Sequence, residues 1–342
     1  MKRRALITGI TGQDGSYLAE YLVGKGYEVF GLMRRTSLDP MLRIGGLVRG
    51  GRITLLYGNL RDAASLGRAL KESDPHEIYN LAAQSDVGLS FKIPEETVDV
   101  NYHGLGRLVH EACALNSAVR IFQASTSDMF LRVKPPQNES SPLRPTSPYG
   151  EAKWRAHEDF VKGSREHNHV FICAGIMFNH ESPRRNEHFV TRKISRSMAS
   201  IKLGRIPSFS LGNLDARRDW GYAGDYVQAM HLMLQKKKPA DYVIGTGETK
   251  SVRDFVEAAA RKLDMKLAWK GSGMKEVGIW NGKTVLTINK AFYRPPEPDL
   301  LVADISKALR ELRWKPKVDF QGLVGMMVQA DHASLLQLAS RA

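Results

Sequence analysis

The stretch "RALITGITGQDGSYLAEYLVGKGYEVFGLMRR" constrains this chain more than any other. An apolar run ends in glycine, an amphipathic run follows, and a second apolar run succeeds it, which is the pattern of a parallel β-α-β unit. Gly9, Gly12 and Gly15 fall at G-x-x-G-x-x-G spacing across the first junction. The first permits the turn, the second lets backbone approach a diphosphate, and the third lets helix pack closely on sheet. Free N–H groups at the helix N-terminus then face the anion. A dinucleotide site is expected at this turn.

Where the second run ends, an NAD site would usually offer an acidic residue to the ribose hydroxyls. This chain presents Arg34, Arg35, Thr36 and Ser37 instead. Two guanidiniums and two hydroxyls suit a ribose 2′-phosphate, so NADP is expected over NAD. The same alternation continues through "RITLLYGNL", "HEIYNLAAQS" and "VRIFQAST", with helical runs between them. Apolar, β-branched runs of this kind suit strands covered on both faces. The expected fold is α/β, a Rossmann-like doubly wound parallel sheet with ligands at the carboxyl edge. It should occupy residues 1–180 and receive segments returning at about 215–250. Residues 181–342 should form mainly a smaller, discontinuous, substrate-binding α/β domain.

The parts for proton and hydride chemistry gather between Ala124 and Lys153. Tyr149 and Lys153 are spaced i, i+4 on a predicted helix, so the ammonium can lie beside the phenol, lower its pKa and make it a usable base. Thr126 can hydrogen-bond the same substrate hydroxyl, and Asp128, two residues along a strand, should point the same way. In "FNHESPRR", Asn179, His180, Arg184 and Arg185 crowd a turn that suits a phosphate or nicotinamide. His180 also suits a purely structural, hydrogen-bonded role. Arg217, Arg218 and Asp219 precede a helix, where some should pair with one another. Pro295, Pro296 and Pro298 stiffen a loop that holds Arg294 and Glu297, which makes Arg294 a second candidate for a substrate phosphate. Ser251 should cap a helix whose apolar positions follow the 3.6-residue period and belong to the core. "WKGSGMKEVGIWNGKTV" reads as irregular, and the helices from Phe320 onward read as structural.

A chain of 342 residues with 42% hydrophobic content can bury one large core or two joined ones. Cys113 and Cys173 lack metal-ligand spacing and read as buried free thiols of a reducing compartment, and no metal site is expected. Glycines interrupt the first apolar run and no later run approaches a membrane span, so no membrane partner is expected and the cytoplasm is the expected location. A net charge of +14 permits a polyanionic partner. The basic residues are scattered, the run Lys236 to Lys238 reads as a solvated helix end, and no nucleic-acid signature accompanies them.

Taken together, "ALITGITGQDGSYLAEYL", "NLAAQS", "QASTS", "SPYGEAK", "FNHESPRR", "FVTRKI", "LGNLDARRDWG" and "YRPPEPDLL" resemble the extended short-chain dehydrogenase/reductases. Within them the chain is similar to the GDP-mannose 4,6-dehydratases over nearly its whole length. The resemblance implies catalytic roles for Thr126, Asp128, Tyr149 and Lys153. It implies NADP contacts at Gly9, Thr11, Gly12, Gln13, Asp14, Gly15, Arg34, Arg35, Thr36 and Ser37. Further NADP contacts are implied at Asn59, Leu60, Leu81, Ala82, Ala83, Ser85, Tyr149, Lys153, His180 and Arg185. GDP-sugar contacts are implied at Ser85, Asn179, Val190, Lys193, Leu211, Asn213, Arg218, Arg294 and Glu297. The implied reaction moves hydride from C4 of GDP-mannose to NADP⁺, eliminates water across C5–C6, and returns hydride to C6. A homotetramer or dimer is also implied, with the loop after "RRTS" reaching a neighbour's cofactor site.

The chain departs from that family where Asp128 replaces Glu, where Glu96 replaces Tyr and where Asn186 replaces Gly. One methylene fewer withdraws the carboxylate by roughly 1.5 Å, and a misplacement of about 1 Å can cost on the order of 10²-fold in rate. Dehydration is therefore the exposed step. A GDP-sugar or GDP-heptose epimerase or 4-ketoreductase stays open as an alternative, as does a catalytically silent NADP(H)-binding sensor.

Overall fold

A computed structural model describes residues 2–36, 40–130, 133–293 and 300–339. Seven strands form the large sheet: β1 (Arg4–Thr8), β2 (Glu28–Met33), β3 (Ile53–Tyr57), β4 (Glu77–Asn80), β5 (Arg120–Thr126), β6 (Phe171–Met177) and β7 (Asp241–Ile244). All their pairings are parallel, in the order β7-β6-β5-β4-β1-β2-β3. The order reverses at β1, which is where such sheets open a crevice for ligands. The chain therefore has the doubly wound α/β fold.

Helices cover both faces: α1 (Gln13–Gly24), α2 (Ala63–Ser73), α3 (Gly104–Leu115), α4 (Pro148–Ala156), α5 (Val190–Lys202), α6 (Ala223–Leu234), α7 (Val252–Lys262) and α8 (Phe320–Ala339). Strand residues alternate between two cores. Ala5, Ile7, Val29 and Tyr79 pack with Leu18 and Leu22 of α1 and Met230 of α6. Leu6, Phe30, Leu56 and Ile121 pack instead with Leu66 and Leu70 of α2 and Leu105 and Leu108 of α3. Because both faces are buried, the strands read as unbroken apolar runs.

A third core joins α5, α7 and α8 to a four-stranded sheet built from Phe209–Leu211, Ala268–Lys270, Val277–Trp280 and Lys283–Ile288. The segment expected to be irregular is thus a β meander. Its tight hairpin turns through Asn281 and Gly282, at φ +50° and +73°, the conformation that an Asn-Gly pair adopts readily. Ser251 caps α7 as expected, in a reciprocal box with Asp254. The carboxyl-terminal segment is one helix rather than several. Cys173 is buried but Cys113 only partly so, and both are free thiols. Of the basic run, Lys237 and Lys238 are exposed, while Lys236 donates to the carbonyl of Glu311 at 2.7 Å. Among the described residues no helix is long and apolar enough to cross a membrane.

The edge strand β7 is locked by charge. Asp241 accepts from Arg165, and its other oxygen lies 3.4 Å from His157 Nε2. Burial alone would raise the Asp241 carboxyl, but these two partners outweigh it and hold it well below the usual carboxylate range. A depressed folded-state pKa stabilises the protein above the unfolded value of about 4, and that contribution disappears as pH falls below it. Asp241→Asn should therefore cost about 3 kcal/mol at neutral pH and progressively less toward pH 2, read from urea unfolding at both pH values. Equal losses at both would contradict this assignment.

Candidate active site

The site is built from the turns that leave the carboxyl ends of β1, β4, β5 and β6. Gly9 sits at φ +68°, where a side chain is strained, and a Cβ there would lie 2.9 Å from the Ala82 nitrogen. A Cβ on Gly15 would lie only 2.4 Å from the Gly9 carbonyl oxygen. Gly12 is the N-cap of α1, and no side chain caps that helix. Thr8 draws in the neighbouring turn: its Oγ1 accepts from the N–H groups of Leu81 and Ala82, both at 3.1 Å, and donates to Asn80 at 2.6 Å. The result is a side-chain-free cradle at a helix N-terminus, which suits a diphosphate.

The first residues of α1 also hold the turn after β6. Asp14 Oδ2 lies 2.9 Å from His180 Nε2, and His180 Nδ1 lies 2.7 Å from the Phe178 carbonyl oxygen. Gln13 donates to the His180 carbonyl at 3.1 Å and accepts from Ser182 Oγ at 2.8 Å. Burial alone would lower the His180 pKa, but the Asp14 charge and two hydrogen bonds raise it above the ordinary imidazole value. Asp14 shows the complementary behaviour: burial opposes its ionisation, and His180 nonetheless holds its pKa low. The Asp14–His180 contact therefore links the glycine turn to the end of β6, with the imidazole stacked on Tyr226 at 4.6 Å.

The residues expected to carry the chemistry lie across β5, the turn after it and α4. Ser147 caps α4 by accepting from the Gly150 N–H at 3.1 Å, and Pro148 supplies a preset first turn. A Cβ on Gly150 would lie 2.9 Å from the Asp128 carbonyl oxygen, so the glycine lets α4 press against the end of β5. Tyr149 and Lys153 are both buried. Lys153 Nζ donates to the Ala124 carbonyl at 2.9 Å, and burial brings its pKa down to about 8. The Tyr149 phenol behaves contrary to expectation. Burial and then the Asp128 charge push it above its ordinary value, against the opposing effect of its hydrogen bond with Thr126. Asp128 is also not on the strand, because β5 stops at Thr126 and Ser127–Phe130 forms a 3₁₀ turn. Its carboxylate still returns to the site: Thr126 Oγ1 donates to Oδ2 at 3.3 Å and accepts from the Asp128 N–H at 3.2 Å.

Other expected residues lie around this centre. Arg34, Arg35 and Thr36 extend exposed beyond β2; Ser37 lies outside the described residues, as do Arg294 and Glu297. Asn59 follows β3 and donates its N–H to Ser65 Oγ at 3.1 Å, with Leu60 buried next to it. Ala83 is half-buried and Ser85 exposed beyond β4. The Thr11 carbonyl accepts from Arg43 at 3.2 Å. Arg185 lies 3.2 Å from Glu181 and 3.5 Å above the Phe189 ring.

Asn179 accepts from the Gly221 N–H at 2.9 Å, and Val190 opens α5. Lys193 lies 3.5 Å from the Phe292 ring centre. Leu211 ends its strand, buried, and Asn213 accepts from the Asp215 N–H at 2.9 Å. Arg218 donates to the Arg217 carbonyl at 2.7 Å. Asp219 does not pair with these arginines. It is buried away from them and accepts from the N–H groups of Thr246 at 2.8 Å and Gly247 at 2.9 Å. Four residues that sequence reading passed over, Arg43, Ser182, Arg192 and Asp331, prove to brace the site. Asp331 had a readable signal, a single acidic residue within the apolar run "LVGMMVQADHASLL". Among the described residues no group of acidic, histidine or cysteine side chains is placed to hold a metal ion.

The same doubly wound fold is found in solved nucleotide-sugar epimerases and dehydratases. UDP-glucose 4-epimerase of Thermotoga maritima superposes with a TM-score of 0.81 at 21% identity, covering 97% of this chain and 99% of that one. The dTDP-glucose 4,6-dehydratase of Bacillus anthracis, in complex with NAD, gives 0.78 at 19% identity, with 96% of each chain covered. The sequence is more specific. Residues 6–327 match the family described as GDP-mannose 4,6 dehydratase, and the chain belongs to that family. It is 51% identical over 338 residues to the GDP-mannose 4,6 dehydratase of Drosophila melanogaster, covering 96% of this chain and 85% of that protein. It is 50% identical over 338 residues to the one of Homo sapiens, with 96% and 91% covered.

Asp14→Asn should drop the His180 pKa to the ordinary imidazole value of about 6.5 or lower, since burial then acts without the opposing charge. Proton NMR titration of the imidazole measures this, and an unchanged value would contradict the pairing. The sign for stability follows: a raised folded-state pKa stabilises the wild type fully below about pH 6.5, a contribution lost as pH rises through the folded value.

Proposed function

We propose that the chain dehydrates GDP-mannose to GDP-4-keto-6-deoxymannose with NADP as the hydride carrier. The observation that carries this reading is the Thr126–Asp128 contact at 3.3 Å beside buried Tyr149 and Lys153, in a member of this family. The cradle of Gly9, Gly12 and Gly15 would take the cofactor diphosphate, and Arg34, Arg35 and Thr36 would take the ribose 2′-phosphate. His180 and Arg185 would border its nicotinamide end. The cofactor would accept hydride from C4 and give it back at C6.

The protein's own work is proton transfer. Thr126 holds the C4 hydroxyl while Tyr149 takes its proton. Because burial and Asp128 oppose the phenolate, the Lys153 ammonium is needed close by to sustain it. Once C4 is a ketone the C5 proton is acidic, and Asp128 removes it as the C6 hydroxyl departs. Two protons are released, one from the C4 hydroxyl and one from C5, and two are taken up, one by the C6 hydroxyl as it leaves as water and one by C5 once hydride has returned to C6. The Thr126 hydroxyl contacts Asp128 at 3.3 Å and hydrogen-bonds Tyr149, so it can pass a proton between them, while the proton that C5 regains comes from a group in exchange with solvent. Lys193 and Arg218 would contribute positive charge toward the GDP diphosphate.

Turnover of GDP-mannose in D₂O should yield a 4-keto-6-deoxy product carrying deuterium at C5. Asp128→Asn should lower that turnover by roughly 10²- to 10⁴-fold, the usual weight of general acid-base catalysis, while C4 oxidation survives. If a keto sugar instead consumes NADPH stoichiometrically, the protein is a reductase and the dehydratase reading is wrong.

A further inference from the structure

The turn at residues 182–186 has an unusual set of backbone partners. Three successive carbonyl oxygens, those of Pro183, Arg184 and Arg185, each accept from a guanidinium. Arg192 Nη1 donates to Pro183 and, at 3.1 Å, to Arg185, while Arg43 Nε donates to Arg184 at 2.8 Å. Arg43 belongs to the segment after β2 and Arg192 to α5, so the turn is clamped from two sides.

Arg192 is itself gripped. Its Nε and Nη2 lie 2.9 Å and 2.7 Å from Asp331 Oδ1. The other oxygen, Oδ2, accepts from Ser195 Oγ at 2.6 Å. Asp331 is 0% exposed, and it lies on α8 among Val324, Met327 and Val328 of the third core. A carboxylate in such surroundings is costly unless fully paired. Packing alone does not require one there, because an apolar residue would fill the space at less cost.

The turn in question abuts the dinucleotide cradle. Ser182 Oγ donates to Gln13 at 2.8 Å, Arg184 Nη1 donates to Ser16 Oγ at 3.1 Å, and Arg43 reaches the Thr11 carbonyl at 3.2 Å. Errors in the turn would therefore be felt at the start of α1. A guanidinium suits the task because it presents several donors in one plane, which an ammonium does not.

We propose that Asp331 is a positioning residue for the dinucleotide site: from α8 it aims Arg192, whose guanidinium fixes the Pro183 and Arg185 carbonyls and thereby sets the turn against α1. The proposal rests on the dinucleotide reading of the glycine cradle. It assigns to a helix of the carboxyl-terminal part, remote from β1, control over cofactor affinity.

Two measurements on the full chain test it. NADPH titration followed by fluorescence should show affinity weakened about tenfold in Asp331→Asn and in Arg192→Lys, the loss expected when a hydrogen bond to a charged group is removed. Hydrogen exchange of the cofactor-free protein should show faster exchange at the amides of residues 184–186 in both. Arg205→Ala is the control, because it removes only a bond from Arg205 to the Leu335 carbonyl of the same α8. It should lower thermal stability and leave NADPH affinity within about twofold of the unaltered chain.

Unchanged affinity and unchanged exchange in Arg192→Lys would overturn the proposal, as would an equal loss of affinity in Arg205→Ala. If Asp331→Asn does not fold, Arg192→Lys, which keeps the charge pair, decides the matter. Failure of the unaltered chain to bind NADPH would overturn the dinucleotide reading instead, and the exchange data would still decide whether Asp331 sets the turn.

Discussion

The architecture depends on one close approach, that of α1 to the turn leaving β1. A side chain at Gly15 would meet the Gly9 carbonyl at 2.4 Å, and one at Gly9 would meet the Ala82 backbone at 2.9 Å. Only bare backbone fits, and the amide ends of α1 are thereby brought to the sheet's crevice at the reversal of strand order. Thr8, Asn80 and the N–H groups after β4 close in on the same point. Once this turn is set, the ends of β4, β5 and β6 fall around a shared cleft.

Charge then holds the cleft's shape. Asp14 and His180 join α1 to β6, and Arg192 and Asp331 join α5 to α8. Each pair is at least partly desolvated, so its members are mutually dependent: removing one strands the other. The end that holds Tyr149 and Lys153 uses burial differently. It lowers the Lys153 ammonium to about 8 and raises the Tyr149 phenol. A base built from that phenol relies on its neighbours for its charge, and Thr126 is where phenol and carboxylate meet.

Much of this was legible in the sequence. The glycine spacing, the apolar strand runs and the Tyr149–Lys153 interval are local patterns, and local patterns report turns, faces and helix neighbours directly. Two things were not legible. Pairings such as Asp14 with His180 or Arg192 with Asp331 join residues far apart in the chain, and nothing local marks which charged residues meet. The sense of the Tyr149 shift was also hidden, because it follows from burial and from the 3₁₀ turn that swings Asp128 back, neither of which spacing reveals. The β meander at residues 268–288 is a different case. Its Asn281-Gly282 turn was visible, but the surrounding glycines masked the strands.

In the proposed cycle, hydride taken from C4 returns within the same active site to C6, so that the cofactor is unchanged over a turnover. GDP-mannose carrying deuterium at C4 tests it directly, with the product read by mass spectrometry and NMR. Internal hydride return predicts one deuterium at C6 of the 4-keto product and no label in released NADPH. Deuterium retained at C4, or lost to free NADPH, would contradict it.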